Sequence, residues 1–376
     1  GYQGAFMAPT EILAEQHFMT FRRYLSGLGV RFAVLTSRLK PKERREIKEK
    51  IAAGGLDIVI GTHAVLEPDV KFKDLKLIVV DEQHRFGVRQ RAALRRKGDK
   101  ADTLIMTATP IPRTLFLALY GDLDLSVLTD MPPGRKPVRT ERAAEEDALK
   151  AVREETSRGR QAYMVYPLIE EDGAGALRSV KAEFERLKTV FGDRRIAMLH
   201  GAMPAEEKER VMAGFAARKI DILVATSVIE VGIDVPNATV MVINNAENFG
   251  LASLHQLRGR VGRGRSESRC LLVAGETTPA GAERLEAMCS TSSGFEISEK
   301  DSRIRGAGEV LGVRQHGDME FRLADLPRDG DVLGQAIEDR DRLLEADPGL
   351  RDPENAGLRH NLMKIYQHKW DIIDLS

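Results

Sequence analysis

The sequence predicts an α/β protein built from two parallel-sheet domains followed by a mainly helical C-terminal segment. Three observations predict it. Short apolar runs alternate with helix-like stretches, the pattern breaks at a proline-rich connector and restarts, and after Pro279 the apolar runs give way to helices.

In the first domain, Ala5–Ala8, Phe32–Leu35, Ile58–Ile60, Leu77–Val80 and Leu104–Met106 are too short for helices and read as buried strands. Asp130 to Pro137 then places three prolines and a glycine within eight positions, which interrupts regular structure and assigns residues 1–140 to the first domain. Ala162–Val165, Ile196–Leu199, Ile222–Ala225, Val240–Ile243 and Cys270–Val273 repeat the strand pattern and assign 141–278 to the second. In the remaining segment, 279–376, Val332, Leu333, Ala336, Ile337, Leu343 and Leu344 form an apolar helical stripe, read as packing rather than function.

A chain of 376 residues suffices for two or three domains, each with its own core. With 57 basic and 57 acidic residues the net charge is zero, so any nucleic-acid surface must be a local patch. Cys270 and Cys289 form no C-x-x-C pair and the histidines lack zinc spacing, so neither a disulfide framework nor a structural metal site is indicated, and a reducing, cytoplasmic setting fits best. No run of about 18 apolar residues suggests a membrane span. The start, Gly1-Tyr2-Gln3-Gly4, has neither signal-peptide character nor an initiator Met, so residue 1 is not expected to be the natural start.

The strand Leu77–Val80 runs directly into Asp81-Glu82-Gln83-His84, placing two carboxylates at a strand's carboxyl end, where open α/β sheets bind ligands. Phosphoryl transfer needs one group to hold Mg2+ and another to orient water, and adjacent Asp81 and Glu82 can divide those roles. Alone, the string reads better as a solvated acidic turn. Thr107-Ala108-Thr109 closes the next strand and should lie beside the carboxylates. In the second domain, Gln256 to Arg263 spaces Arg260 and Arg263 three apart, on one face if helical, with glycines allowing close backbone approach. The alternative is a solvated basic stretch, with Arg258, Arg265 and Arg269 nearby against only Glu267. Carboxylates in one domain and paired arginines in the next describe the layout of a nucleotide-driven motor.

These residues resemble the superfamily-two helicases, and within them the RecG family of bacterial branched-DNA helicases. The resemblance covers nearly the whole chain and implies RecA-like motor domains, the first truncated at its N-terminus, with a translocation segment after them. Met7 to His17 resembles the first DNA-contacting motif, with Pro9 and Thr10 at a helix N-terminus, although Thr10 is otherwise a plain N-cap. Gly61-Thr62-His63 resembles the next backbone-contact motif. Asp81 to Val88 and Met106 to Thr114 are shared by RecG and the transcription-repair coupling factor, while Gln83 and Ala162 to Glu171 look more like RecG. Ala225 to Pro236 resembles the motif linking DNA contact, through Thr226, to nucleotide, through Gly232 and Asp234. Gly294 to Gly317, with Arg303, Arg305, Arg314 and Gln315, resembles the translocation motif of both families.

The resemblance implies ATP and Mg2+ as cofactors. Asp81 would hold the metal with Glu82, which activates water. Gln83 and His84 would complete the acidic motif, and His84 would join Thr107, Ala108 and Thr109 in coupling. Arg260 and Arg263 would complete the site, with Gln256 sensing nucleotide. Implied partners are forked or branched duplex DNA, Holliday junctions and single-stranded-DNA-binding protein, for a monomer with no membrane association. The sequence departs from the family by lacking a G-x-x-x-x-G-K-S/T phosphate loop and an N-terminal wedge domain, so the isolated chain is expected to be inactive. Ser302, Ser37 and Asn248 also depart from common family residues. Three alternatives remain open: a transcription-repair coupling translocase, a non-catalytic DNA-binding fragment, and an RNA helicase, which the Arg305 to Gly317 segment disfavours.

Overall fold

The computed structural model describes residues 1–82, 101–107, 124, 126–128, 130, 134–167, 173–230, 234–305 and 329–366. The chain divides into two compact units, Gly1–Thr109 with Gln335–Ser376, and Pro110–Gly334.

The first unit contains β1 (Gln3–Met7), α1 (Glu11–Leu25), β2 (Phe32–Leu35), α2 (Pro41–Ala52), β3 (Ile58–Gly61), β4 (Leu75–Val80) and β5 (Asp102–Ile105). All its strand pairs are parallel, in the order β2-β3-β1-β4-β5. Helix α1 starts where the Thr10 hydroxyl accepts from the Leu13 amide, satisfying one of the helix's orphan donors. Pro41, with its fixed φ, opens α2, and the Glu43 carboxylate accepts from the Lys40 amide. One sheet face packs Met7, Leu35, Ile51, Val59 and Ile78, and the other packs Phe6, Ala8, Ala14 and Ile60. The strand order changes direction between β1 and β4, which in an open parallel sheet creates a crevice beyond their carboxyl ends.

The second unit contains β6 (Arg139–Arg142), α3 (Glu145–Ser157), β7 (Gln161–Val165), α4 (Gly173–Val190), β8 (Ile196–Leu199), α5 (Ala205–Ala216), β9 (Ile222–Ala225), β10 (Ala238–Asn244), α6 (Leu251–Arg258), β11 (Arg269–Val273), α7 (Pro279–Ser290) and α8 (Gly294–Arg305). Its parallel sheet runs β6-β11-β10-β7-β9-β8. Strands β7, β9 and β10 are buried along their whole length, as expected for a parallel sheet covered on both faces. Helices α7 and α8 pack on α6 and on each other, and Leu285, Ala287, Met288 and Ile297 join the core of this unit.

Every apolar run expected as a strand forms one. The exception to the sequence reading is β6, which was not expected and lies across the 140/141 division. Arg139-Thr140-Glu141-Arg142 has no apolar run to mark it, but as an edge strand it pairs with β11 and matches charges across it, Arg269 Nη2 donating to Glu141 at 2.6 Å. Two further helices, α9 (Gly330–Ala346) and α10 (Ala356–Tyr366), end the described chain. The α9 stripe follows its expected packing role only in part, with Leu333, Ile337 and Leu343 half-buried and Val332 and Leu344 exposed.

Candidate active site

The crevice between β1 and β4 holds the acidic residues. The Asp81 amide donates to the Met7 carbonyl at 2.9 Å, carrying the β1–β4 ladder one residue past Val80. Pro9 and Thr10 leave β1 on the same edge, where the Ala8 amide donates to Gly61 at 2.9 Å. The Met106 amide donates to the Val80 carbonyl at 2.8 Å, so Thr107 leaves β5 alongside Asp81 and Glu82, as the strand order demanded. Gln83, His84, Ala108 and Thr109 lie outside the described residues.

Glu82 has φ of 51°, a left-handed conformation that a non-glycine residue adopts at a cost of order 1 kcal/mol. Such strain concentrates at functional positions. The Asp81 carboxylate is part-buried and accepts from His17 of α1 through Oδ2 at 2.9 Å. Its second oxygen and the neighbouring Glu82 form an oxygen-only donor set. Among the described residues no cluster of three ligands exists. That arrangement fits Mg2+, which characteristically takes one or two carboxylates and completes its shell with water and phosphate oxygens.

Gly61 and Thr62 end β3. A side chain at Gly61 would collide with the Leu35 carbonyl, so close packing of β2 on β3 already demands this glycine. Thr62 is buried and precedes a 3-10 turn, His63–Leu66. In the second unit, Thr226 ends β9 and precedes the equivalent turn, Ser227–Glu230. Its fully buried hydroxyl lacks a hydrogen-bond partner, a costly state that a ligand oxygen would relieve.

The arginine motif differs from the helical face its spacing allowed. Helix α6 ends at Arg258, and Gly262 takes φ of 75°, so Arg260 and Arg263 lie on the turn beyond the helix. A Cβ at Gly262 would stand 2.6 Å from Val138, which reinforces the requirement for glycine. Arg263 pairs with Asp234 and donates through Nε to the Gly259 carbonyl at 3.0 Å, so the structure joins two motifs separated in sequence. Gln256 is half-buried on α6. Gly232 lies outside the described residues.

The solvated-basic reading fails for Arg258, which is 5% exposed. Its guanidinium donates to the carbonyls of Met288, Thr291 and Ser292 at 3.1, 2.7 and 3.2 Å, fastening α6 to the junction of α7 and α8. It also donates to His255 Nδ1 at 2.9 Å, which fixes His255 as the acceptor and therefore neutral. Burial, reinforced by the Arg258 charge, holds the His255 pKa down at about 4. Sequence reasoning missed both His17 and Arg258, because each is defined by a partner 64 or about 30 residues away rather than by a local pattern. Arg303 is exposed on α8 and Arg305 is its last residue. Arg314 and Gln315 lie outside the described residues.

Two parallel sheets with acidic residues at one switch point and an arginine turn in the second unit define a helicase motor. Family profiles agree: "DEAD/DEAH box helicase" matches residues 1–116, "Helicase conserved C-terminal domain" matches 145–265, and "ATP-dependent DNA helicase RecG, domain 3, C-terminal" matches 291–374. The chain belongs to the RecG family. It is 46% identical to ATP-dependent DNA helicase RecG of Bacillus subtilis over 97% of this chain and 54% of that protein. Identity to the RecG of Thermotoga maritima is 50%, over 90% of this chain and 44% of that protein. The chain thus spans about half the length of the curated relatives it matches. A solved structure of RecG bound to a three-way DNA junction matches with a TM-score of 0.72 and 46% identity, covering 89% of this chain and 44% of that one. Mycobacterium smegmatis helicase Lhr, bound to ssDNA and AMP-PNP, shares the fold at 17% identity, with a TM-score of 0.55 over 76% of this chain and 42% of that one. Among the described residues no helix is long and apolar enough to cross a membrane.

Proposed function

We propose that this chain carries the motor of an ATP-dependent DNA helicase or translocase that remodels stalled forks and Holliday junctions in repair and recombination. The observation that carries the reading is the Asp81–Glu82 pair at the switch point of a chain with 46% identity to a RecG helicase.

Asp81 and Glu82 would hold Mg2+, which would supply neutralisation of phosphate charge. Glu82 orients the attacking water and accepts its proton. Gln256, Arg260 and Arg263 bind the nucleotide, and guanidinium groups on a transferring phosphoryl contribute roughly 10³ to 10⁵ in rate. Asp234 aims Arg263 through their ion pair. Pro9, Thr10, Gly61, Thr62 and Thr226 contact the DNA backbone, where positioning rather than sequence reading is needed. Arg258 transmits displacement of the arginine turn to the α7–α8 junction and so toward Arg303 and Arg305. By resemblance to its family the protein works as a cytoplasmic monomer, with single-stranded-DNA-binding protein as a partner.

A second reading applies to the isolated chain. The sequence contains no G-x-x-x-x-G-K-S/T phosphate loop, which favours DNA binding without hydrolysis by these 376 residues alone. ATP hydrolysis by the natural full-length protein and by this chain, with fork DNA, linear duplex or duplex RNA, tests both readings. The full-length protein should show fork-stimulated turnover that Glu82→Gln abolishes without loss of DNA binding. Wild-type turnover in Glu82→Gln would overturn the role of Glu82, and Glu82-dependent turnover by the isolated chain would overturn the second reading.

A further inference from the structure

The contact between α1 and the end of β4 has no counterpart in the acidic motif itself. His17 sits within α1, two turns beyond its Thr10 cap, and its Nε2 lies 2.9 Å from Asp81 Oδ2. A carboxylate only accepts, so Nε2 carries the proton and donates. The imidazole is braced on its other side by the Phe6 ring, with centroids 4.4 Å apart, and Phe6 packs edge-on against Phe21 of the same helix at 5.4 Å. Phe6 and the carbonyl of Met7 both come from β1, so a single strand supports the imidazole through a ring contact and the Asp81 main chain through a hydrogen bond.

A carboxylate that presents one oxygen to a metal must be stopped from rotating, and an immobilised donor on the other oxygen does so. We propose that His17 is a positioning residue of the reaction: by occupying Asp81 Oδ2, it holds Oδ1 toward the divalent cation. The inference rests on the metal role given to Asp81 above. It assigns to α1 a second task besides presenting Thr10. The orientation of the metal-side carboxylate then depends on the seating of a helix whose first residues face the candidate DNA edge.

The alternative is that His17 merely fills the aromatic cluster, and two substitutions separate the cases. His17→Phe keeps a ring against Phe6 and removes the donor, whereas His17→Gln loses the ring and keeps an amide donor of similar reach. Binding of Mn2+ to the natural full-length protein with ADP, followed through the free ion by electron paramagnetic resonance, gives a readout independent of turnover. Asp81→Asn should remove the Mn2+ binding seen in wild type. His17→Phe should weaken it by roughly 10- to 100-fold, and His17→Gln should restore most of that loss. Wild-type Mn2+ affinity in His17→Phe, with Asp81 still required, would overturn this inference alone. Binding indifferent to Asp81 would overturn the metal assignment and the inference with it.

Discussion

The two units are built on one plan, and they differ where the chemistry lies. The first sheet runs β2-β3-β1-β4-β5, and the second repeats that order as β8-β9-β7-β10-β11 with β6 added at the edge. Even the polar staples recur. Arg31 grips Asp57 through its amide, Nε and Nη2, and Arg195 grips Asp221 in the same way, each pair 26 residues apart. Gln3 donates to the carbonyls of Ile51 and Leu56, and Gln161 donates to those of Phe215 and Ile220. After the strand beyond the switch point, both backbones turn left-handed, with φ of 51° at Glu82 and 48° at Asn245. Asp81 and Glu82 stand in one unit where Asn244 and Asn245 stand in the other. One frame therefore serves twice, and the exchange of two amides for two carboxylates marks the unit proposed above to hold the metal. The cost is visible too, because Asn tolerates the left-handed region far better than Glu.

The comparison breaks first in the cores. Phe215 is fully buried against Tyr163 at a centroid distance of 4.8 Å, and its counterpart under the glutamine staple is the smaller Ile51. Phe215→Ala should cost about 3 to 5 kcal/mol and Ile51→Ala about 2 to 4, measured by denaturant unfolding of each variant. A larger loss for Ile51 would contradict the expectation that the bulkier of the two buried side chains contributes more.

Acid should separate the units next. The His255 pKa, held at about 4, lies below the unfolded value, so the unfolded chain binds the proton more readily. The stabilising contribution is complete above about pH 6.5 and declines as pH falls toward 4, by on the order of 3 kcal/mol. The shared staples respond lower, since Arg31 holds Asp57 down at about 2 and Arg195 lowers Asp221. Their stabilisation is present above the ordinary carboxylate value and is lost as pH falls through the folded one. Hydrogen exchange at pH 5 should therefore loosen the second unit before the first, and His255→Gln, which keeps an acceptor for Arg258, should abolish the difference.

The smallest effect sharpens the comparison at the switch point. Glu82→Asn should relieve backbone strain and stabilise the first unit by about 1 kcal/mol while abolishing turnover in the full-length protein. Thermal unfolding beside a hydrolysis assay checks it, and a destabilised Glu82→Asn would show that the glutamate's contacts outweigh its strain.

Much of this was legible in residue order because its causes are local. Apolar runs such as Ile222–Ala225, buried at every residue, mark strands of a parallel sheet covered on both faces, whereas Phe32–Leu35, at a sheet edge, is buried only at Leu35. The position of Asp81 and Glu82 after Leu77–Val80 likewise follows from chain direction. Strand β6 was invisible because an edge strand needs no apolar face, and Thr140 and Glu141 acquire their role only from β11. The stripe Val332 to Leu344 shows the converse, a helical periodicity whose burial the sequence could not guarantee.

Sequence alone thus determined the α/β class, the repeated strand order's raw material and the acidic pair, all encoded within a few neighbouring residues. Tertiary structure decided which solitary polar residues matter. His17 becomes a partner of Asp81 and Arg258 a buried clasp only when folding brings distant elements within hydrogen-bond reach, and in a packed interior an unmade hydrogen bond costs more than a made one contributes.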